Sequence, residues 1–403
     1  MNRPIAISLF SGAGGLDLGF EQAGFDISLA IEKDPIHAAT HAQNFPMWKT
    51  LNESVETIIP SDVREVVWNR EIDVLIGGPP CQGFSIQGKR DPNDERSALL
   101  QEFIRLVDEL RPKYFVLENV KGLTQCPFRS VLSSAIIRLQ KLGYSLPQYK
   151  ILNAKDYGVP QSRERLFLLG ARNGLPLPAY PEPTGPSVTV SEALEDIPNV
   201  ETVWYKGKGR LQNYSALMPR SAYALKLSGL DEAHWLDGHK REHYWPLLTN
   251  CQPTKHTEKT RDRFSTVAPG TRDSISHFPR LSANGVSPTL RAGTDSQRGR
   301  HTAPRPIHYL YPRCITVREM ARLSGFPDWF RFDDRIWHGA RQVGNAVPVP
   351  LAYAVAKEIM GAIRKTDKED EWYQSISEKS SRRKWRMERS NRPLDASDLV
   401  RLK

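Results

Sequence analysis

The feature that most constrains this chain is the alternation of short apolar runs with amphipathic segments over its first 172 residues. PIAISLF ends in SGAGG and leads into LDLGFEQAG, where Leu16, Phe20 and Ala23 fall on one helical face. FDISLAIE closes at Glu32 and gives way to the helical spacing of DPIHAATHAQNF. Further strand-like runs stand at IDVLIGG (72–78), YFVLENV (114–120) and RLFLLGAR (165–172), with a proline-closed amphipathic helix, LLQEFIRLVDELRP (99–112), among them. Strands separated by helices pair in parallel, because a parallel neighbour needs a crossover. The pattern therefore predicts an open α/β sheet with ligands at the carboxyl ends of its strands.

Composition narrows the function classes. With 403 residues, 39% hydrophobic and 25% charged, the chain has globular proportions, which exclude wholesale disorder and a collagen-like repeat. No run approaches 18 consecutive apolar residues and MNRPIAISLF passes straight into a glycine turn, so the expectation is no membrane segment and a cytoplasmic home. Cys81, Cys126, Cys251 and Cys314 contain no C-x-x-C pair, so neither a disulfide framework nor a metal site is expected. Lysine and arginine number 56 against 46 acids, a net charge of +10 that suits a polyanionic partner.

The texture changes at the proline-rich LPLPAYPEPTGP, which reads as an extended linker. Between roughly 186 and 305 the pattern is irregular. Regular patterning returns at TVREMARLSGFPDWF and in the helix VPLAYAVAKEIMGAIRK, and a highly charged tail follows Lys365. From Lys255 to Arg305 there are ten Lys/Arg against four Asp/Glu, which localises the basic excess.

Four segments can carry chemistry. SGAGG offers backbone N–H groups at a helix start, and its glycines, Gly12, Gly14 and Gly15, depart from the dinucleotide spacing, while Glu32 is placed for two ribose hydroxyls. A nucleoside cofactor without a pyrophosphate fits this better than NAD; the bland alternative is a glycine turn beside a solvated glutamate. GGPPCQGFS (77–85) presents Cys81 from a rigid turn, which favours a nucleophile over a core cysteine, the reading kept for the other three. Glu118 ends a strand at the sheet mouth, where desolvation can hold it partly protonated for acid–base work, a simple cap being the alternative. Arg163 and Arg165, two apart, suit gripping a substrate oxygen or phosphate, or else form a surface ion-pair face.

FSGAGGLDLGFEQAGF, GGPPCQGFS, ENV, QSRERLFLLG, TVREMARLSGFPDWF and RQVGNAVPVPLA, in that order, resemble the motif set of the cytosine-5 DNA methyltransferases. The resemblance implies a Rossmann-like, S-adenosyl-L-methionine-dependent methyltransferase domain with a smaller, irregular target-recognition domain inserted before the last motifs: the first part of the catalytic and cofactor-binding domain at 1–185, the inserted domain at 186–311, a return to the first domain with the final motifs and C-terminal helix at 312–365, and a charged tail at 366–403. It implies that Cys81 attacks carbon 6 of a cytosine flipped out of double-stranded DNA, that Glu118 contacts ring nitrogen 3, and that Arg165 and Arg163 hold the carbonyl oxygen. For the cofactor it assigns Phe10 and the loop Gly12, Gly14 to Leu16, with Glu32 on the ribose, Asp62 and Val63 near the adenine, and Pro80, Asn345 and Val347 bordering the same pocket. It assigns 186–311 to target recognition, with Arg261, Arg263, Arg272, Arg280, Arg291, Arg298 and Arg300 as candidates for phosphates or guanine edges. A prokaryotic restriction-modification setting, a cognate restriction endonuclease acting on the same site, and a monomeric working state are further implications. The rivals are an RNA-directed member of the family, a catalytically silent DNA-binding regulator and an NAD-linked oxidoreductase, the last leaving PPCQ unexplained.

Overall fold

In the computed structural model the described residues are 3–80, 96–202, 218–231, 236–241, 247–294 and 304–366. Cys81, Arg298, Arg300 and the tail beyond 366 lie outside them.

An eight-stranded sheet forms the frame. Strands β1 (Ile5–Leu9), β2 (Asp26–Ile31), β3 (Lys49–Leu51), β4 (Val74–Gly77) and β5 (Tyr114–Val120) pair in parallel in the order β3-β2-β1-β4-β5. The crossovers carry α1 (Gly15–Gln22), α2 (Pro35–Asn44), α3 (Pro60–Val66) and α4 (Arg96–Leu110), and α5 (Arg129–Lys141) follows β5. The central strands read as unbroken apolar runs because both faces are covered: Ile5, Ile7 and Leu9 face one buried cluster, Ala6 another.

The sheet departs from the all-parallel expectation at its far edge. β8 (Glu164–Arg172) lies antiparallel to β5, with β6 (Tyr144–Ser145) and β7 (Lys150–Asn153) antiparallel to β8. Short loops rather than crossover helices join β6, β7 and β8, which permits antiparallel pairing. The start of β8 therefore sits beside the end of β5, with Val120 opposite Arg165. The proline-rich stretch after β8 is extended but packed: Tyr180 is buried and its hydroxyl donates to the Phe167 carbonyl.

Beyond the sheet the described residues form α6 (Val190–Leu194), α7 (Ala222–Ser228), α8 (Glu258–Thr266), α9 (Val317–Arg322) and α10 (Ile336–Asn345). Val190, Leu194, Leu248 and Leu290 share one buried cluster with Ile315, Met320, Phe326 and Val343, so packing is continuous across 311/312. The chain rejoins the sheet at Val347, after which a helix over 349–366, here α11, lays Leu351, Val355 and Ile359 on the first core. The stretch 336–366 is long and apolar enough to cross a membrane, but it breaks at 346–348 and most of it is buried as core helix.

Candidate active site at the carboxyl edge of the sheet

The loop after β1 is bent by three left-handed residues, Phe10 (φ 55°), Gly12 (φ 57°) and Gly14 (φ 98°). A Cβ on Gly14 would stand 2.4 Å from the Phe45 ring, and one on Gly15 2.5 Å from the Val347 carbonyl, so these glycines let α2 and the last motif close on the loop. The position of Gly12 faces open space. Glu32 bridges the first two strand ends, its carboxylate accepting from the N–H of Gly12 and of Asp34, each at 2.8 Å. The neighbouring Ser11 hydroxyl is buried without a partner among the described residues. A cradle with room at Gly12, a free hydroxyl and a carboxylate at the second strand end fits a nucleoside with ribose hydroxyls.

The other residues expected around a cofactor separate by role. Leu16 and Val63 are buried in the apolar clusters, and Val347 meets the loop through its carbonyl, so these three shape the cradle from behind. Asp62 in the first turn of α3, Asn345 at the end of α10 and Pro80 are exposed, on segments that follow strand carboxyl ends or pack beside the loop.

Glu118 sits on β5 with its carboxylate 2.9 Å from Arg165 Nε. The two are diagonal neighbours on one face of the β5–β8 pair. Burial pushes the Glu118 carboxyl up, against the pull of Arg165 and Arg163. Gly78 leaves room for this carboxylate, since a Cβ on it would stand 2.7 Å from Glu118 Oε2. Asn119 donates to the Pro79 carbonyl (3.3 Å), so the Gly-Gly-Pro-Pro turn preceding Cys81 is tied to the strand that carries Glu118.

Arg163 differs from the expectation of a substrate grip. Its guanidinium is 2% exposed and donates to the carbonyls of Leu290 (2.8 Å) and Gly344 (2.7 Å). Desolvation and the neighbouring Arg165 charge hold its pKa well down. It clamps the second unit and α10 to the sheet edge, where Gly344 lacks a Cβ because the backbone of Ala292 stands 2.5 Å from that position. Gln161 completes the joint, donating to the Leu323 carbonyl and accepting from Leu290 N–H.

Among the basic residues assigned to DNA, Arg261 pairs with Glu201, Arg263 with Asp273, and Arg280 with backbone carbonyls; Arg272 and Arg291 are exposed. Isolated excess charge in sequence does not separate a cation that will meet a phosphate from one already paired across the fold.

One buried network beneath the glycine loop escapes the sequence reading. Asp17 accepts from Ser8 Oγ (2.6 Å) and meets His41 Nε2 (2.7 Å), while His41 Nδ1 meets Thr50 Oγ1 (2.8 Å). Its sequence signal is Asp17 between Leu16 and Leu18 in a helix whose every residue is buried.

A doubly covered sheet with a glycine-bent cradle at β1 and β2 and a carboxyl–guanidinium pair at β5 and β8 is the architecture of a doubly wound α/β protein whose candidate site lies at the strand carboxyl ends. The sequence profile of the C-5 cytosine-specific DNA methylases matches residues 5–361, and the chain belongs to that family: it is a DNA cytosine-5 methyltransferase. It is 50% identical over 375 residues, 91% of this chain and 86% of the relative, to the type II methyltransferase M.XorII of Xanthomonas oryzae pv. oryzae. It is 32% identical over 361 residues, 88% of this chain and 86% of the relative, to the type II methyltransferase M1.HphI of Haemophilus parahaemolyticus. A crystal structure described as a DNA modification methyltransferase encoded within an E. coli prophage superposes with a TM-score of 0.75 at 32% identity, covering 90% of this chain and 99% of that one. The Spodoptera frugiperda DNMT2 structure shares the fold at a TM-score of 0.58 and 18% identity, covering 89% of this chain and 99% of that one.

Proposed function

We propose that the chain methylates carbon 5 of a cytosine in double-stranded DNA with S-adenosylmethionine as donor, in a prokaryotic type II restriction-modification setting. The observation that carries this reading is the meeting of the glycine cradle, the tethered turn before Cys81 and the Glu118–Arg165 pair at one strand edge. The fit of the cradle supports the donor: Glu32 would hold its ribose, Ser11 and the Gly12 N–H region its methionine side, and Asp62 its adenine. The donor, when bound, supplies an electrophilic methyl on a sulfonium.

Carbon 5 of cytosine is a poor nucleophile, and the chain's residues must change that. The Cys81 thiolate adds to carbon 6, so that electron density reaches carbon 5 as ring nitrogen 3 takes a proton. Glu118, whose carboxyl burial pushes up against the pull of Arg165, donates a proton to nitrogen 3, and Arg165 holds the carbonyl oxygen on the same ring. After transfer, a base removes the carbon 5 proton and the thiolate leaves. A base in a duplex cannot reach a sheet edge of this kind, so the cytosine swings out of the stack at a cost of a few kcal/mol.

The test is a duplex carrying 5-fluorocytosine at the target, found first by bisulfite sequencing of a methylated phage genome. Fluorine cannot leave as a cation, so protein and DNA should remain linked at Cys81 on a denaturing gel. Cys81→Ser should bind the duplex without linking or methylating it. A linked peptide containing Cys126, Cys251 or Cys314 overturns the mechanism, and methyl transfer confined to tRNA overturns the substrate.

A further inference from the structure

Residues 270–280 form a short hairpin in the second unit that carries no catalytic motif. Gly270 N–H donates to the Arg280 carbonyl, Arg280 N–H to that of Thr271, and Arg272 bridges Pro279 in antiparallel fashion. The turn at its tip is locked from within. The Asp273 carboxylate, 1% exposed, accepts from Ser276 N–H (2.7 Å), Ser276 Oγ (2.6 Å) and Arg263 Nε (2.8 Å). From behind, Arg280 donates to the carbonyls of Ser265 (3.0 Å) and Val267 (2.9 Å) at the end of α8.

All of this fixes an apex at which Ile275 is 68% exposed, between the exposed Arg272, whose Nη1 donates to the His277 carbonyl (3.1 Å), and the exposed His277. Isoleucine is a poor turn residue and stiff at χ1, so the apex is an apolar knob of set direction on a pre-ordered mount. The mount is joined to the active site. The segment beyond Arg280 runs to Ser287, which exchanges hydrogen bonds with Pro160 and Ser162, and to Leu290, which accepts from Arg163.

We propose that this hairpin is a base-reading finger, in which Ile275 makes an apolar contact with a thymine methyl group of the duplex while Arg272 meets a backbone phosphate. The proposal rests on the duplex-DNA reading above. An isoleucine has no hydrogen-bonding group with which to read a base edge, and the thymine methyl is the apolar group that base pairs show in the major groove. A guanidinium at the root of the finger supplies the sequence-independent part of the contact.

The experiment uses the full chain and the duplex identified by bisulfite sequencing, with each thymine of the site replaced in turn by deoxyuridine. One such replacement should lower the wild-type kcat/KM about 3- to 10-fold and leave Ile275→Ala unaffected, while Ile275→Val keeps most of the discrimination. Ile275→Asn should lower kcat/KM for the cognate site at least tenfold, with Tm and S-adenosylhomocysteine affinity unchanged. Arg272→Gln should reduce the slope of log affinity against log salt by about 1 without altering the choice of site. Equal sensitivity of wild type and Ile275→Ala to every thymine replacement overturns the finger, as does an Ile275→Asn protein with wild-type kcat/KM. Absence of methyl transfer by the wild type to any DNA would instead overturn the underlying reading.

Discussion

Glu118 is held between opposing pulls, since burial favours its neutral form and Arg165 favours the anion. The neutral form is the one that can donate to a ring nitrogen. A raised pKa keeps that form populated at higher pH and loses it as pH climbs through the raised value, so kcat should fall on the alkaline side. Glu118→Gln should abolish that fall, because an amide donates at every pH, while lowering the maximum about 10²- to 10⁴-fold because it cannot deliver a proton. A kcat profile that keeps the same alkaline limb in the variant would reject the role. Gly78→Ala tests the geometry without touching a charge. Its methyl would enter the space of Glu118 Oε2, at 2.7 Å, so methyl transfer should drop at least tenfold while Tm changes little, the displaced group being a side-chain end. The strand-end positions of Glu118 and Arg165 follow from the apolar runs that carry them. The role of Arg163 does not, because its two carbonyl acceptors come from 127 and 181 residues away, and local sequence carries no sign of them.

Elements are held by buried charge as much as by apolar faces. In α9, Arg322 makes paired hydrogen bonds to Asp196 and to Asp328, and Arg318 donates to the carbonyls of Thr249, Pro327 and Phe330. Glu319 closes a capping box with Thr316 and takes two bonds from Arg313. Burial would raise the Glu319 carboxyl, but Arg313, His308 and the Thr316 N–H bring it down to about 2. A carboxyl lowered in the folded state stabilises above its ordinary value of 4.5, and the contribution is lost as pH falls from there toward about 2. Glu319→Gln should therefore cost about 3 kcal/mol at neutral pH and flatten the acid-side loss, read by urea unfolding between roughly pH 3 and 7. Unchanged stability at pH 7 would show the pair to be inert. This also explains what the sequence could show of these elements. The parallel strands and α11 follow apolar periodicity, and β5 coincides with the run YFVLENV. α9 is six residues long with three charged side chains at zero or 1% exposure, so periodicity marks it faintly and only the pairing partners reveal its place.

At the scale of the whole molecule, two buried clusters cover the two faces of the sheet, one of them with α1 and α11, and a third joins α6, Leu248 and Leu290 to α9 and α10. The boundary expected at 311/312 cuts the third cluster, since Val190, Leu194 and Leu281 lie on one side and Ile315, Met320 and Phe326 on the other. Exchanging all of 186–311 with a relative of different target would replace one half of that core against the other, and mismatched core volumes cost about 1–3 kcal/mol per clash. The segment 255–280 is different. Its buried Phe264 packs with Ile307 and Cys314 in a small cluster of its own, and the finger at 270–280 stands within it. A chimera taking 255–280 from a relative, with Phe264 kept, should fold with near-native Tm and shift the bisulfite pattern at one or two base pairs of the site. The wider 186–311 exchange should melt at lower temperature, recovering when the native residues at 190, 194, 248, 281 and 290 are restored. A stable 255–280 chimera whose bisulfite pattern matches the parent at every position would place target choice elsewhere in the unit.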